Sequence, residues 1–128
     1  MTAADLAAFY RRYLDCLNRR DWDGLGDFVA DGARHNGRPF GLAGYRAMLE
    51  RDVADIPDLA FRIELLVVEP PRIAARLVFD CTPVGTFLGL PVDGRRVRFH
   101  ENVFYEVDEG RIVDVRSVID RAAIEGQL

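Results

Sequence analysis

The apolar period of the chain changes at Pro57, and this switch limits the folds open to it more than any other feature. Before Pro57 the period is helical. Leu6, Phe9, Tyr10, Tyr13, Leu14 and Leu17 recur at three- and four-residue spacing, and Thr2 and Asp5 are placed as a capping box, so a helix is expected from Thr2. "NRRDWDGLGDFVADG" reads as a turn and a short helix with Trp22, Leu25, Phe28 and Val29 inward and Gly32 as its stop. "GLAGYRAMLERDVADIPD" gives a third helix, with Leu42, Tyr45, Met48, Leu49, Val53 and Ile56 inward and Pro57 ending it. After Pro57 the period is two. Phe61, Ile63, Leu65 and Val67 alternate with Arg62 and Glu64, "EPPR" turns the chain, and Ile73, Ala75, Leu77, Phe79 and Cys81 share a face. A long connection with a turn at Asp93-Gly94 leads to "VRFHENVFYEV", where Val97, Phe99, Glu101, Val103, Tyr105 and Val107 share a face. "DEG" turns again into "RIVDVRSVID", the last strand. Three helices followed by an antiparallel meander imply an α+β fold with the helices on one side of the sheet.

The last strand is apolar on both faces by strict alternation: Ile112 and Val118 on one, Val113, Val115 and Ile119 on the other. A helical layer covers one face of a sheet, so a second copy of the chain is expected on the other, giving a homodimer.

At 128 residues the chain is expected to form a single domain spanning 1–128. The 21 acidic against 17 basic residues leave a net charge of -4, which argues against a phosphate-neutralising surface and so against nucleic acid as a partner. No apolar run approaches a membrane span, and "MTAADLAAFYRRYLD" is unlike a signal peptide, so a cytoplasmic protein without membrane contact is expected. Cys16 and Cys81 form no CxxC, no histidine is spaced for a metal site, and both thiols are expected to be reduced and buried. No glycine run matches a phosphate-binding loop.

Asp120 is the sharpest candidate for chemistry. Alternation puts it on one side with Asp114, Arg116 and Val118, about 13 Å from Arg116 and so beyond direct pairing, whereas Asp114 and Arg116 are close enough to pair. A carboxylate enclosed by apolar groups without a cation keeps its proton to higher pH, as a general acid or base near neutrality requires. The alternative is a solvated cap for the terminal segment "RAAIEGQL". Glu101 shares its face with apolar residues and, if inward, needs a partner such as Arg116. Tyr13, Trp22, Tyr45, Met48 and Phe87 are bulky inward positions suited to core or cavity wall, and His35 is read in a loop between helices. "GTFLGLP" carries glycines and apolar residues suited to covering a pocket mouth.

"HNG" at 35 to 37, "GYRAML" at 44 to 49, "PDLAFRIE" at 57 to 64, "GTFLGLPVDGRRV" at 85 to 97 and "GRIVDVRSVID" at 110 to 120 together resemble the SnoaL-like polyketide cyclase family of the NTF2-like superfamily. The resemblance runs from about Tyr10 to Leu128. It implies a cone-shaped barrel fold, a curved antiparallel sheet wrapped around three N-terminal helices, an apolar cavity, and dimers through the outer face of the sheet. It also implies an aspartate at the end of the last strand, here Asp120, as the acid and base of an intramolecular aldol closure, with no metal or organic cofactor. The chain departs from the family's pattern at Pro83 and near Val103, where cyclases carry histidines, and His100 is an odd number of residues from Val103 and so lies on the opposite face. Three functions are expected in order: a cofactor-independent cyclase or isomerase acting on an apolar, carbonyl-bearing, polyketide-like molecule, as an ester cyclase would; a water-activating hydrolase using Asp120, Glu101 and Arg116; and a non-catalytic dimeric module that binds a small apolar ligand.

Overall fold

The computed structural model describes Met1–Leu128. Helix α1 (Ala3–Asn18) opens on the expected capping box: the Asp5 amide donates to Thr2 Oγ1 at 3.0 Å, and the Thr2 amide donates to the Asp5 carboxylate at 2.9 Å. Such a cap stabilises a helix start by about 1 kcal/mol. Its inward stripe, Leu6 to Leu17, is fully buried. Helix α2 (Gly41–Asp55) starts on a glycine because the backbone there has φ +65, and a Cβ at Gly41 would sit 2.9 Å from the carbonyl of Asp31.

Five strands form one open, mixed sheet: β1 (Val29–His35), β2 (Arg62–Glu69), β3 (Arg72–Cys81), β4 (Val97–Asp108) and β5 (Arg111–Ile119), in the order β1-β5-β4-β3-β2. A last short helix, α3 (Arg121–Glu125), follows β5, and Gln127 pins it to the sheet by accepting from the Arg98 amide at 2.9 Å and donating to the Arg98 carbonyl at 2.6 Å. The α+β architecture expected from the sequence is present, with three helices packed on one sheet. Two of those helices are N-terminal and one is C-terminal.

The helix expected up to Gly32 is instead a single 3-10 turn (Leu25–Asp27) followed by β1. This strand pairs with β5 in parallel, which makes the sheet mixed. Trp22, Leu25 and Phe28 have helical spacing, but tertiary pairing along β5 decides the conformation of the residues after them.

Strict alternation holds along β3 and β4 and fails along β2 and β5, for one reason. Each of the latter carries an inserted residue: Glu64 lies between the Ile63–Leu77 and Leu65–Arg76 pairs, and Val113 lies between the Val107–Ile112 and Glu106–Asp114 pairs. A bulge reverses the faces of all residues beyond it. Leu65 and Val67 therefore point outward at 60% and 66% exposure, leaving Leu66 and Val68 against the core. On β5, Ile112, Val115 and Ile119 pack inward, while Arg116 and Val118 point out. The second apolar face expected on β5 alone is thus assembled from β2, β4 and β5, where Leu65, Val67, Phe104 and Val118 stand exposed. No helix is long and apolar enough to cross a membrane.

Candidate active site

Between α1, α2 and the inner sheet face lies a cavity of about 150 Å³, joined to a second lobe of about 50 Å³ through Asp52, Phe61, Glu101 and Ile119, which line both. Larger grooves exist on the surface, one of about 560 Å³ beside Trp22, Phe40 and Arg46 and one of about 330 Å³ beside Asp31 and Arg111. The inner cavity is the candidate site because the carboxyl groups whose pKa burial raises, Asp52 and Glu101, converge there.

Two carboxyl groups face this cavity. Glu101 points inward from β4 by the same alternation that buries Phe99 and Val103. Burial pushes its pKa up, and the hydroxyl of Ser117 on β5, donating at 2.6 Å, offsets part of that rise. Asp52 reaches the cavity from α2, one turn beyond Met48 and two beyond Tyr45. Burial, helped by the charge of Glu101, pushes Asp52 up to about 7. No Lys or Arg lines either lobe.

Phenol hydroxyls and an imidazole share the lining of the main lobe. The Tyr13 and Tyr45 hydroxyls meet at 2.6 Å, and those of Tyr10 and Tyr105 at 3.1 Å. Burial raises the pKa of all four, so they stay neutral donors. A hydrogen bond within a phenol pair uses one of its two hydrogens and leaves the other for a ligand. His35 ends β1, stacks on Phe40 at 5.5 Å and meets Tyr45 edge-on at 6.1 Å. Burial and the nearby Arg38 lower its pKa, so the ring is neutral at physiological pH. Its neighbour Asn36 fixes the strand end, with its side-chain amide exchanging two hydrogen bonds with the Ser117 backbone.

Of the residues expected at the site, Tyr13, His35, Tyr45, Met48 and Glu101 line the main lobe and Phe87 lines the second, its ring tilted against that of Phe99 at 5.6 Å. His35 is therefore not the loop residue the sequence suggested but a strand-end residue aimed inward. Trp22 is elsewhere, on the outer groove, because the chain turns away after it into the 3-10 turn. Arg116 lies on the outer face, paired with Asp114 at 3.2 Å, and Ser117 rather than Arg116 is the partner of Glu101. His100 is also on the outer face, 2.7 Å from Glu64.

The structure places Asp120 outside the cavity lining. It is exposed, and its carboxylate caps α3 by accepting from the Ala123 amide at 3.1 Å. The bulge at Val113 and the end of β5 at Ile119 turn this side chain outward. Asp120→Asn is expected to leave unfolding stability within a few tenths of a kcal/mol, since Asn caps as well as Asp, whereas Asp120→Ala costs about 1 kcal/mol in chemical denaturation. An equal loss in both variants would remove the cap assignment.

Asp52 was legible in principle. It falls at i+7 from Tyr45 and i+4 from Met48, on the apolar stripe of its helix, and a lone carboxylate on such a stripe is itself the signal.

Comparison with known proteins follows the same lines. The model of the SnoaL-like polyketide cyclase family matches residues 7–128. A crystal structure of a SnoaL-like polyketide cyclase from Agrobacterium tumefaciens is 55% identical, with a TM-score of 0.95 over 99% of this chain and 98% of that one. TsrD from Streptomyces laurentii is 25% identical, with a TM-score of 0.86 over 99% of this chain and 96% of that one. IdmH from Streptomyces antibioticus, at 21% identity, shares the fold with a TM-score of 0.82 over 94% of this chain and 96% of that one. No curated protein matches the chain. The open α+β sheet, the cavity between helices and sheet, and these matches lead to one conclusion: the chain belongs to the SnoaL-like polyketide cyclase family and has its NTF2-like fold.

Proposed function

We propose that the protein is a cyclase- or isomerase-type enzyme that moves a proton at an apolar, carbonyl-bearing small molecule without a cofactor. The observation that carries this reading is the Asp52 carboxyl, held at about 7 in the inner cavity beside Glu101. At neutral pH such a group is present in both forms, which is where general acid and base catalysis is most effective. In the base form Asp52 takes the proton from the carbon next to a carbonyl, and the C–H electron pair moves into the enolate. The free phenol hydrogen of the Tyr13–Tyr45 pair meets the developing oxyanion. The enolate carbon then attacks a second carbonyl, or is reprotonated elsewhere, and Asp52 returns its proton to the resulting alkoxide or carbon. Asp120, committed to the α3 cap, takes no part in this scheme.

The test needs no knowledge of the natural substrate. A simple ketone with acidic α-hydrogens, β-tetralone, incubated in heavy water with the protein, is expected to gain deuterium at the α-carbon faster than in buffer, with a rate that inflects near the Asp52 midpoint of about 7. Exchange no faster than in buffer would sink the catalytic reading.

The same proposal includes a homodimer across the outer sheet face. The support is the row of Leu65, Val67, Phe104 and Val118, all at least 60% exposed, on a face that no helix covers. Light scattering at micromolar concentration is expected to give twice the chain mass, and Phe104→Lys to halve it. A wild-type monomer would exclude the dimer.

A further inference from the structure

The cavity restricts what can enter it by size and by charge, and both restrictions depart from a multi-ring, acid-bearing substrate. At about 150 Å³, with a side lobe of about 50 Å³, the space lies below the roughly 300–1,000 Å³ of pockets that hold drug-sized ligands. An apolar protein cavity of about 150 Å³ is matched by a single benzene ring. The walls that set this size are main-sheet and helix side chains: Leu77, Val103, Tyr105 and Tyr13 are each at most 5% exposed, and Phe79 and Phe99 stack at 5.2 Å behind the smaller lobe. Close-packed walls of this kind yield little volume without a cost in packing.

Charge acts in the same direction. Glu101 and Asp52 both face the lumen, the imidazole of His35 is the one basic group there, and no guanidinium or ammonium lines it. The donors it offers are neutral: phenols and a hydroxyl already engaged with Glu101. An anionic ligand would lose its hydration, find no countercharge and meet a carboxylate of its own sign.

Resting on the carbonyl chemistry proposed above, we propose that the ligand is a compact ketone of one or two rings without a carboxylate, and that four-ring or acid-bearing polyketides are excluded. A matched set tests size and charge separately, by calorimetric titration of the wild-type protein above about pH 7. The probes are β-tetralone, the carboxylate on the same two-ring tetralin skeleton, and androstenedione as a four-ring ketone. β-Tetralone is expected to bind, the carboxylate to bind at least about tenfold more weakly, and the four-ring ketone not to bind. In Glu101→Gln, and independently in Asp52→Asn, the gap between ketone and carboxylate is expected to narrow. Equal binding of ketone and carboxylate, tighter binding of the four-ring ketone, or no binding of β-tetralone at millimolar concentration would each overturn the proposal. Binding of β-tetralone without α-carbon exchange would defeat the catalytic reading and leave this ligand class standing. Exchange together with equal carboxylate binding would do the reverse.

Discussion

Replacing Asp52 with Asn is expected to slow deuterium exchange into β-tetralone by roughly 10²–10⁴-fold, the range that a positioned acid or base contributes. The exchange that remains should lose its inflection near 7, because the amide does not titrate in that range. The fold should survive, since Asn is nearly isosteric and the cavity already tolerates a neutral group there at low pH. The same substitution has an expected effect on stability, with a defined sign. Asp52 is raised from its ordinary 3.8 to about 7, so between those values the folded chain holds a proton that the unfolded chain has released. Its stabilising contribution is complete below 3.8 and is lost as pH rises through about 7. A shift of that size corresponds to at most about 4 kcal/mol, and the water-facing side of the cavity reduces the expected value to about 2 kcal/mol. Asp52→Asn should therefore match the wild type in denaturant unfolding near about pH 4 and exceed it near about pH 8. A variant that exchanges β-tetralone at the wild-type rate would transfer the acid–base role to another group, with Glu101 the next candidate.

Phe99→Ala should have the largest effect on folding, a loss of about 3–5 kcal/mol in denaturant unfolding. Phe99 is 2% exposed, stacks on Phe79 at 5.2 Å and closes the second lobe together with Phe87. Its loss removes buried apolar surface and leaves space that strands β3 and β4, paired over ten residues, do not close. That space opens into the lobe next to Asp52 and Glu101, so the variant should also bind androstenedione, which the wild type should not. Destabilisation below about 1 kcal/mol would mean that the walls of the lobe are soft, and the size limit on the ligand would lose its basis.

What the sequence revealed and what it hid follow from the same periodicity. No bulge interrupts the pairing of β3 with β4, and alternation groups Glu101 with Phe99, Val103 and Tyr105 while leaving open whether that face is the inner one; the structure turns it inward. Helix α1 was readable to its cap because the capping box and the apolar stripe agree. The partner of Glu101 was misassigned, since the choice between Arg116 and Ser117 depends on one inserted residue, Val113, which leaves no mark in composition. Asp120 was misplaced for the same reason. The strand β1 was hidden because "VADGARH" has no alternation of its own and draws its conformation from β5. Asp52 is the reverse case, a carboxylate at the spacing of the α2 stripe whose hydrophobic neighbours mask it.

The two bulges confine any exchange of faces to the ends of two strands. In a perfectly regular strand every residue is bound to its face by parity, so lengthening or shortening the strand by one residue would exchange lumen and exterior together. Here Glu64 and Val113 each absorb one residue at a defined place, upstream of Leu65 and Val67 on one strand and of Arg116 and Val118 on the other. Losing either residue would rotate one strand end through half a turn and leave β3 and β4 untouched. A single-codon deletion at Val113 would therefore carry Val115, Ser117 and Ile119 out of the chamber and strip Glu101, held in its place by the unbroken β4, of the Ser117 hydroxyl.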